Sequence, residues 1–264
     1  MLPNGMTLRN VLLGMVAACS CALAQHGSYE NLNSTVWVQT SVEYKATLRQ
    51  TYRAAEACLL RGIEDKTWTA AIEQTRDASQ KTPAVILDLD ETVLDNSPFQ
   101  ARLVSGHKTY TEEGWQAWVA EGKAGLVPGA GEFLAAAHGH GVAIFYVSNR
   151  VCNPDKADDP TVAVLKAHSL PMAPGRLLCK VEGNSDKTPR RTQVAANYRV
   201  ILLIGDDFGD FLTPGKTREA RDAQLAAWSR YFGERWFMIP NPTYGSWERA
   251  VGYTVDEKLK ALRK

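Results

Sequence analysis

Five short apolar runs, at 84–87, 142–147, 177–179, 200–204 and 236–239, restrict the folds open to this chain more than any other feature. Each is apolar without alternation, the pattern of strands covered on both faces of a parallel sheet. Helix-like stretches lie between them at 129–139, 160–168, 188–197 and 218–231. Strands alternating with helices predict a doubly wound α/β sheet. Upstream, Val36, Val38, Tyr44, Leu48, Tyr52 and Leu59 recur at helical spacing. They predict a helix over 36–78, inside a helical N-terminal segment spanning 30–80, that Pro83 ends. The interval 92–128 is too long for a simple crossover and carries Trp115 and Trp118 among polar residues. It reads as a cap insertion over about 93–128, or as a long crossover with no ligand role.

With 264 residues, of which 45% are hydrophobic, the chain can build one large domain with an insertion. Lys plus Arg is 30 against 29 Asp plus Glu, so no basic excess points to a nucleic-acid polymer. The first 24 residues read as a secretory signal, with Arg9 followed by an apolar run over 11–18. Val16-Ala17-Ala18-Cys19 has the form of a bacterial lipobox, which would lipidate Cys19 and anchor the protein to a membrane. Ala22-Leu23-Ala24 is a competing site for ordinary signal peptidase. The expected location is therefore outside the bacterial cytoplasm, as an outer-membrane lipoprotein or a free periplasmic protein, with the mature domain over 25–264. Cys58, Cys152 and Cys179 follow both sites, and their spacing is not that of a metal centre. Export permits one disulfide, and Cys179, in an apolar run, reads as a small buried hydrophobe.

Ligands of open α/β sheets bind beyond the carboxyl ends of the strands, so the residues after each run matter most. After the first come Asp88-Leu89-Asp90-Glu91-Thr92. Two residues apart in extended chain, Asp88 and Asp90 would point the same way, and a hard cation with oxygen ligands, Mg²⁺, would relieve their repulsion. An EF-hand loop is excluded, because the sixth position is Val93 and the twelfth Phe99. Ser148-Asn149-Arg150 follow the second run as a phosphate cradle or a plain helix cap. Lys187 follows the third, where it could neutralise a phosphate oxygen. Gly205-Asp206-Asp207-Phe208-Gly209-Asp210 follow the fourth, an acidic cluster that a metal would explain. The aromatic turn 241–247 follows the fifth.

Asp88-Leu89-Asp90-Glu91-Thr92, Ser148, Lys187 and Gly205-Asp206 with Asp210 resemble the four motifs of the haloacid dehalogenase (HAD) phosphatase superfamily. The flanking segments 93–98, 145–150 and 244–248 are similar to those of class C bacterial acid phosphatases, the lipoprotein e(P4) 5′-nucleotidase family. The resemblance spans about 30–250 and implies a HAD-like Rossmannoid three-layer α/β/α sandwich. It implies that Asp88 is the nucleophile and Asp90 the general acid and base. It further implies that Mg²⁺ is held by Asp88, the Asp90 carbonyl and Asp206, and the phosphoryl group by Thr92, Ser148 and Lys187. Asp210 would orient Lys187 or a metal-bound water, and Trp115 with Tyr244 would hold the ring of a nucleoside monophosphate or aromatic ester. Asp207 departs from the Asn frequent in the family. The alternative is a surface lipoprotein that binds haem or a nucleotide on the same scaffold. Within the superfamily, Asp90 favours a phosphatase over a dehalogenase.

Overall fold

The computed structural model describes residues 29–181 and 183–263. The stretch read as a signal, with Cys19 and the two expected cleavage sites, lies outside the described residues. The centre is a five-stranded sheet of β1 (Pro83–Leu87), β4 (Ala143–Val147), β5 (Leu177–Leu178), β6 (Arg199–Gly205) and β7 (Trp236–Met238). Its order is β5-β4-β1-β6-β7, and every pairing is parallel. The two remaining strands, β2 (Leu94–Asp95) and β3 (Gly125–Leu126), form a separate antiparallel pair.

Alternate side chains of each strand enter different cores. Val85, Leu87, Ile144 and Tyr146 face one side, with Leu48, Leu59, Phe133 and Leu165. Ala84, Ile86, Phe145 and Val147 face the other, with Val194, Phe211 and Trp236. The first core is covered by α2 (Val42–Glu64), α5 (Ala130–Gly139) and α6 (Pro160–Ala167), the second by α7 (Thr188–Asn197). This is a three-layer sandwich, as the resemblance implied, built on the parallel sheet expected from apolar strands without alternation. A register shift between Ala84 and Val85 leaves Ile201 unpaired in β6, so Ile201 and Leu202 both reach the first core. The Ile201 carbonyl accepts the Trp68 indole N–H at 2.9 Å.

The N-terminal helical segment differs from the expectation over 36–78. A first helix, α1 (Leu32–Thr40), stops where Ser41 turns extended and caps α2 by accepting the Tyr44 N–H at 3.1 Å. Helix α2 ends at Glu64, well before Pro83. Asp65 accepts from the backbone and hydroxyl of Thr67 at 2.8 and 2.7 Å, a local bond that competes with helix. The buried Arg199 guanidinium then draws in the carbonyls of Gly62, Asp65 and Trp68 at 2.6–3.1 Å. From there the chain runs irregularly to β1. The helix expected over 218–231 is shorter too: α8 (Arg218–Ala227) gives way to a 3₁₀ turn at Ser229–Tyr231.

Residues 93–128, expected as an insertion, hold α3 (Ser97–Ser105), α4 (Glu112–Glu121) and the β2–β3 pair, with the buried Trp118 stacked on Phe99. The C-terminal helix α9 (Val255–Ala261) joins the N-terminal segment through ion pairing of Lys258 with Glu30. Among the described residues no helix is long and apolar enough to cross a membrane.

Cys179 is not a free hydrophobe. It forms a disulfide with Cys152, and the buried Cys58 stays a thiol. The bridge closes a separation of 27 residues and ties the loop after β4 to the end of β5. Loop-closure entropy puts its contribution at about 3.5 kcal/mol. Thermal unfolding with and without dithiothreitol should show a loss of that size, and Cys152→Ser should remove the dithiothreitol sensitivity.

Candidate functional site

Strand β1 sits at the centre of the sheet, with the chain order running one way through β4 and β5 and the other through β6 and β7. The carboxyl end of β1 is therefore the topological switch point, where doubly wound sheets bind their ligands. Asp88 follows β1 directly, and its backbone N–H extends the ladder by donating to the Ile204 carbonyl at 3.0 Å. The chain then coils back: the N–H groups of Val93 and Leu94 both donate to the Leu89 carbonyl at 2.8 Å. That return places Glu91 in the left-handed region at φ 57°, an uncommon conformation for a residue with a side chain.

Beside Asp88 stand the residues after β6. Gly205 is required there, because a Cβ would overlap the Asp210 carboxylate. Asp206 accepts the Thr92 hydroxyl at 3.1 Å and the Asn241 amide at 2.9 Å. Asp207 closes a reciprocal cap with Asp210 and also accepts the Ser246 N–H at 2.6 Å. The carboxylate that departs from the family's Asn thus ties the β6 loop to the aromatic turn.

Lys187, 6% exposed at the N-terminus of α7, donates to Asp88 and, at 2.6 Å, to Asp210. Two neighbouring arginines fix that helix to the site. Arg190 donates to the Ser148 carbonyl and the Asn149 side chain, both at 2.6 Å. Arg191 pairs with Glu73 at 2.8 Å and takes the carbonyls of Gly209 and Asp210 at 3.0 and 3.2 Å. Ser148 is fully buried, its hydroxyl accepting the Arg150 N–H at 3.1 Å.

Carboxylate oxygens of Asp88, Asp206 and Asp210 lie within 4.8 Å of one another. Burial pushes all three acids above the usual carboxylate range, Asp210 to about 7. Lys187 opposes the rise at Asp88 and Asp210, while repulsion adds to it, from Asp90 at Asp88, from Asp88 and Asp210 at Asp206, and from Asp88 and Asp207 at Asp210. Burial also works against the Lys187 ammonium, but Asp210 and Asp88 outweigh it and hold the lysine charged. An all-oxygen donor set with excess buried negative charge fits a hard divalent cation, which would reverse those shifts.

The structure therefore brings Asp88, Asp206, Asp210 and Lys187 together and sets Thr92 against Asp206 rather than in open space. Asp90 does not share a partner with Asp88: its carboxylate is taken by Arg150 at 2.7 Å and Asn96 at 2.9 Å. Trp115 packs edge-on against Phe99, with the Arg150 guanidinium 5.6 Å from its ring centre. The Tyr244 hydroxyl donates to Glu91, whose buried carboxyl is pushed well above its usual range by desolvation and then by Asp90 and Asp95. Sequence reading gave no role to Glu91, Asn96, Arg190, Arg191 or Asn241, and placed Arg150 only in the loop after β4, not as the partner of Asp90. The only available signal was that Arg150 and Asn96 flank motif residues.

A carboxylate at the switch point, a lysine bridging two acids and an acid cluster after β6 define a phosphoryl-transfer site of the HAD type. The family described as HAD superfamily, subfamily IIIB (acid phosphatase), matches residues 17–247. Among solved structures, the class C acid phosphatase from Bacillus anthracis is 30% identical with a TM-score of 0.76, over 90% of this chain and 98% of that one. The same enzyme with tungstate bound is 29% identical with a TM-score of 0.78, at the same coverage. The chain belongs to HAD subfamily IIIB, the acid phosphatases, and is a phosphomonoesterase.

Proposed function

We propose that this phosphomonoesterase is Mg²⁺-dependent, works through a phosphoryl group carried on Asp88, and prefers esters with a ring. The bridging of Asp88 and Asp210 by Lys187, beside Asp206, is the observation that carries the reading. A phosphoryl group enters as an anion, so a carboxylate nucleophile needs positive charge close by. Lys187 supplies it from the protein. Asp88 and Asp206, with the Asp90 carbonyl, would hold Mg²⁺, which supplies further charge neutralisation.

Asp88 attacks phosphorus while Asp90 protonates the leaving oxygen. Asp90 then removes a proton from the water that releases phosphate. Ser148, in the loop clamped by Arg190, and Thr92 flank the position of the phosphoryl group. Binding of tungstate, a tetrahedral oxyanion, by the Bacillus anthracis relative supports the same class of ligand here.

Trp115 and Tyr244 would hold the ring of a nucleoside monophosphate or aryl phosphate. Stacking is worth roughly 1–3 kcal/mol, so ring esters should exceed glycerol phosphate roughly 5–150-fold in kcat/KM. AMP, nicotinamide mononucleotide, p-nitrophenyl phosphate and glycerol phosphate, each assayed with Mg²⁺ and with EDTA, test this. Equal rates on glycerol phosphate sink the ring clamp, and undiminished rates in EDTA sink the metal. The Cys152–Cys179 disulfide supports export to an oxidising compartment. A lipid on Cys19, as an anchor to the outer membrane, is checked by the mass of the mature N-terminus.

A further inference from the structure

The carboxylate of Asp90 is held unevenly. Its Oδ1 receives three donors: Arg150 Nη2 at 2.7 Å, Arg150 Nε at 2.9 Å and Asn96 Nδ2 at 2.9 Å. Among the described residues, Oδ2 receives only a longer contact, from Arg150 Nε at 3.2 Å. Arg150 is 2% exposed and Asn96 fully buried, so neither donor is free to swing away. Asn96 is fixed in turn: its Oδ1 accepts the Trp118 indole N–H at 2.8 Å, and its backbone N–H donates to Glu91 at 3.1 Å. Trp118 belongs to α4 of the insertion, so a chain of hydrogen bonds runs from the cap to the acid.

We propose that Arg150 and Asn96 are positioning residues that saturate Oδ1 of Asp90 and reserve Oδ2 for proton transfer. The inference rests on the reading of Asp90 as the acid and base. In the first half, the bond from Asp88 to phosphorus forms as the ester P–O bond breaks, and the proton on Oδ2 passes to the leaving oxygen. In the second half, water bonds to phosphorus, the bond to Asp88 breaks, and a water proton returns to Oδ2. An oxygen already accepting three hydrogen bonds has no lone pair left for that proton. Trp118 and Asn96 give the insertion a direct hold on the chemistry as well as on the ring.

A misplaced acid hurts poor leaving groups more than good ones, whereas lost phosphate binding or a loosened fold hurts both alike. Phenyl phosphate and p-nitrophenyl phosphate share a ring and differ in leaving-group basicity. Their kcat/KM values report the steps up to the phosphoryl enzyme. General acid catalysis contributes about 10²–10⁴-fold, so Arg150→Gln should lower kcat/KM about 100-fold for phenyl phosphate and only about tenfold for p-nitrophenyl phosphate. Arg150→Lys, which keeps the buried charge, should fold as the parent does and show a smaller loss with the same bias. Asp90→Asn is the reference. If Asp90→Asn discriminates between the esters and both Arg150 variants do not, the positioning role falls alone. If Asp90→Asn lowers both esters equally, the acid–base reading falls and the positioning role with it.

Discussion

Asp88→Asn should lower turnover by roughly 10⁴-fold or more while the protein stays folded, as removal of the proposed nucleophile requires. The amide keeps the shape of the carboxyl but cannot attack phosphorus. Stability should hold or rise, because the change removes one member of a crowded acidic group. Burial already works against ionised Asp88, and Asp90 adds to the cost. Lys187 keeps its second partner, Asp210. Thermal unfolding beside steady-state kinetics separates the cases: a large fall in Tm would make Asp88 a structural anchor, and retained turnover would end its role as nucleophile.

The second large effect belongs to Lys187. Lys187→Met should cost about 3–5 kcal/mol of stability in the absence of metal, the usual penalty for unpairing buried charges. The partners left behind are Asp88 and Asp210, both buried and close to Asp206. Loss of a positive charge beside the transferring group should also lower kcat roughly 10³-fold. Mg²⁺ distinguishes the two losses. It should restore part of the stability, since a cation relieves the acidic cluster, but little of the activity, since in the proposed reading the ammonium would also contact the phosphoryl group. Unfolding and kinetics over a Mg²⁺ titration check both. Full recovery of turnover with Mg²⁺ would reduce Lys187 to a charge spacer.

Much of the sheet was legible in the sequence because strands buried on both faces must be apolar throughout. Strands β1, β4 and β6 fall within a residue of runs visible by eye, and α7 has the expected bounds. The motif acids were legible for the opposite reason: charged residues directly after a buried strand are costly unless they have partners. What was hidden depends on contacts between distant segments. The end of α2 is set in part by the local Asp65–Thr67 bond and in part by Arg199, more than 100 residues away, whose contacts the local pattern does not show. Arg150 and Asp90 meet across 60 residues, and Arg190 and Arg191 read like surface arginines until α7 is docked. Cys179 looked like a core residue because an apolar neighbourhood says nothing about a thiol 27 residues away. Asp207 shows its purpose only when the loop carrying Ser246 is folded against it.

The central claim, a phosphoryl group carried on Asp88, is tested most directly by acid quench of Asp90→Asn during reaction with p-nitrophenyl phosphate. Its good leaving group lets the first half proceed, and the missing base slows the second. Peptide mapping by mass should then find one phosphoryl group on the segment containing Asp88, labile to hydroxylamine and lost when EDTA is added beforehand. Repeated release of nitrophenol with Asp88 unmodified, or a phosphoryl group on another residue, would contradict the account.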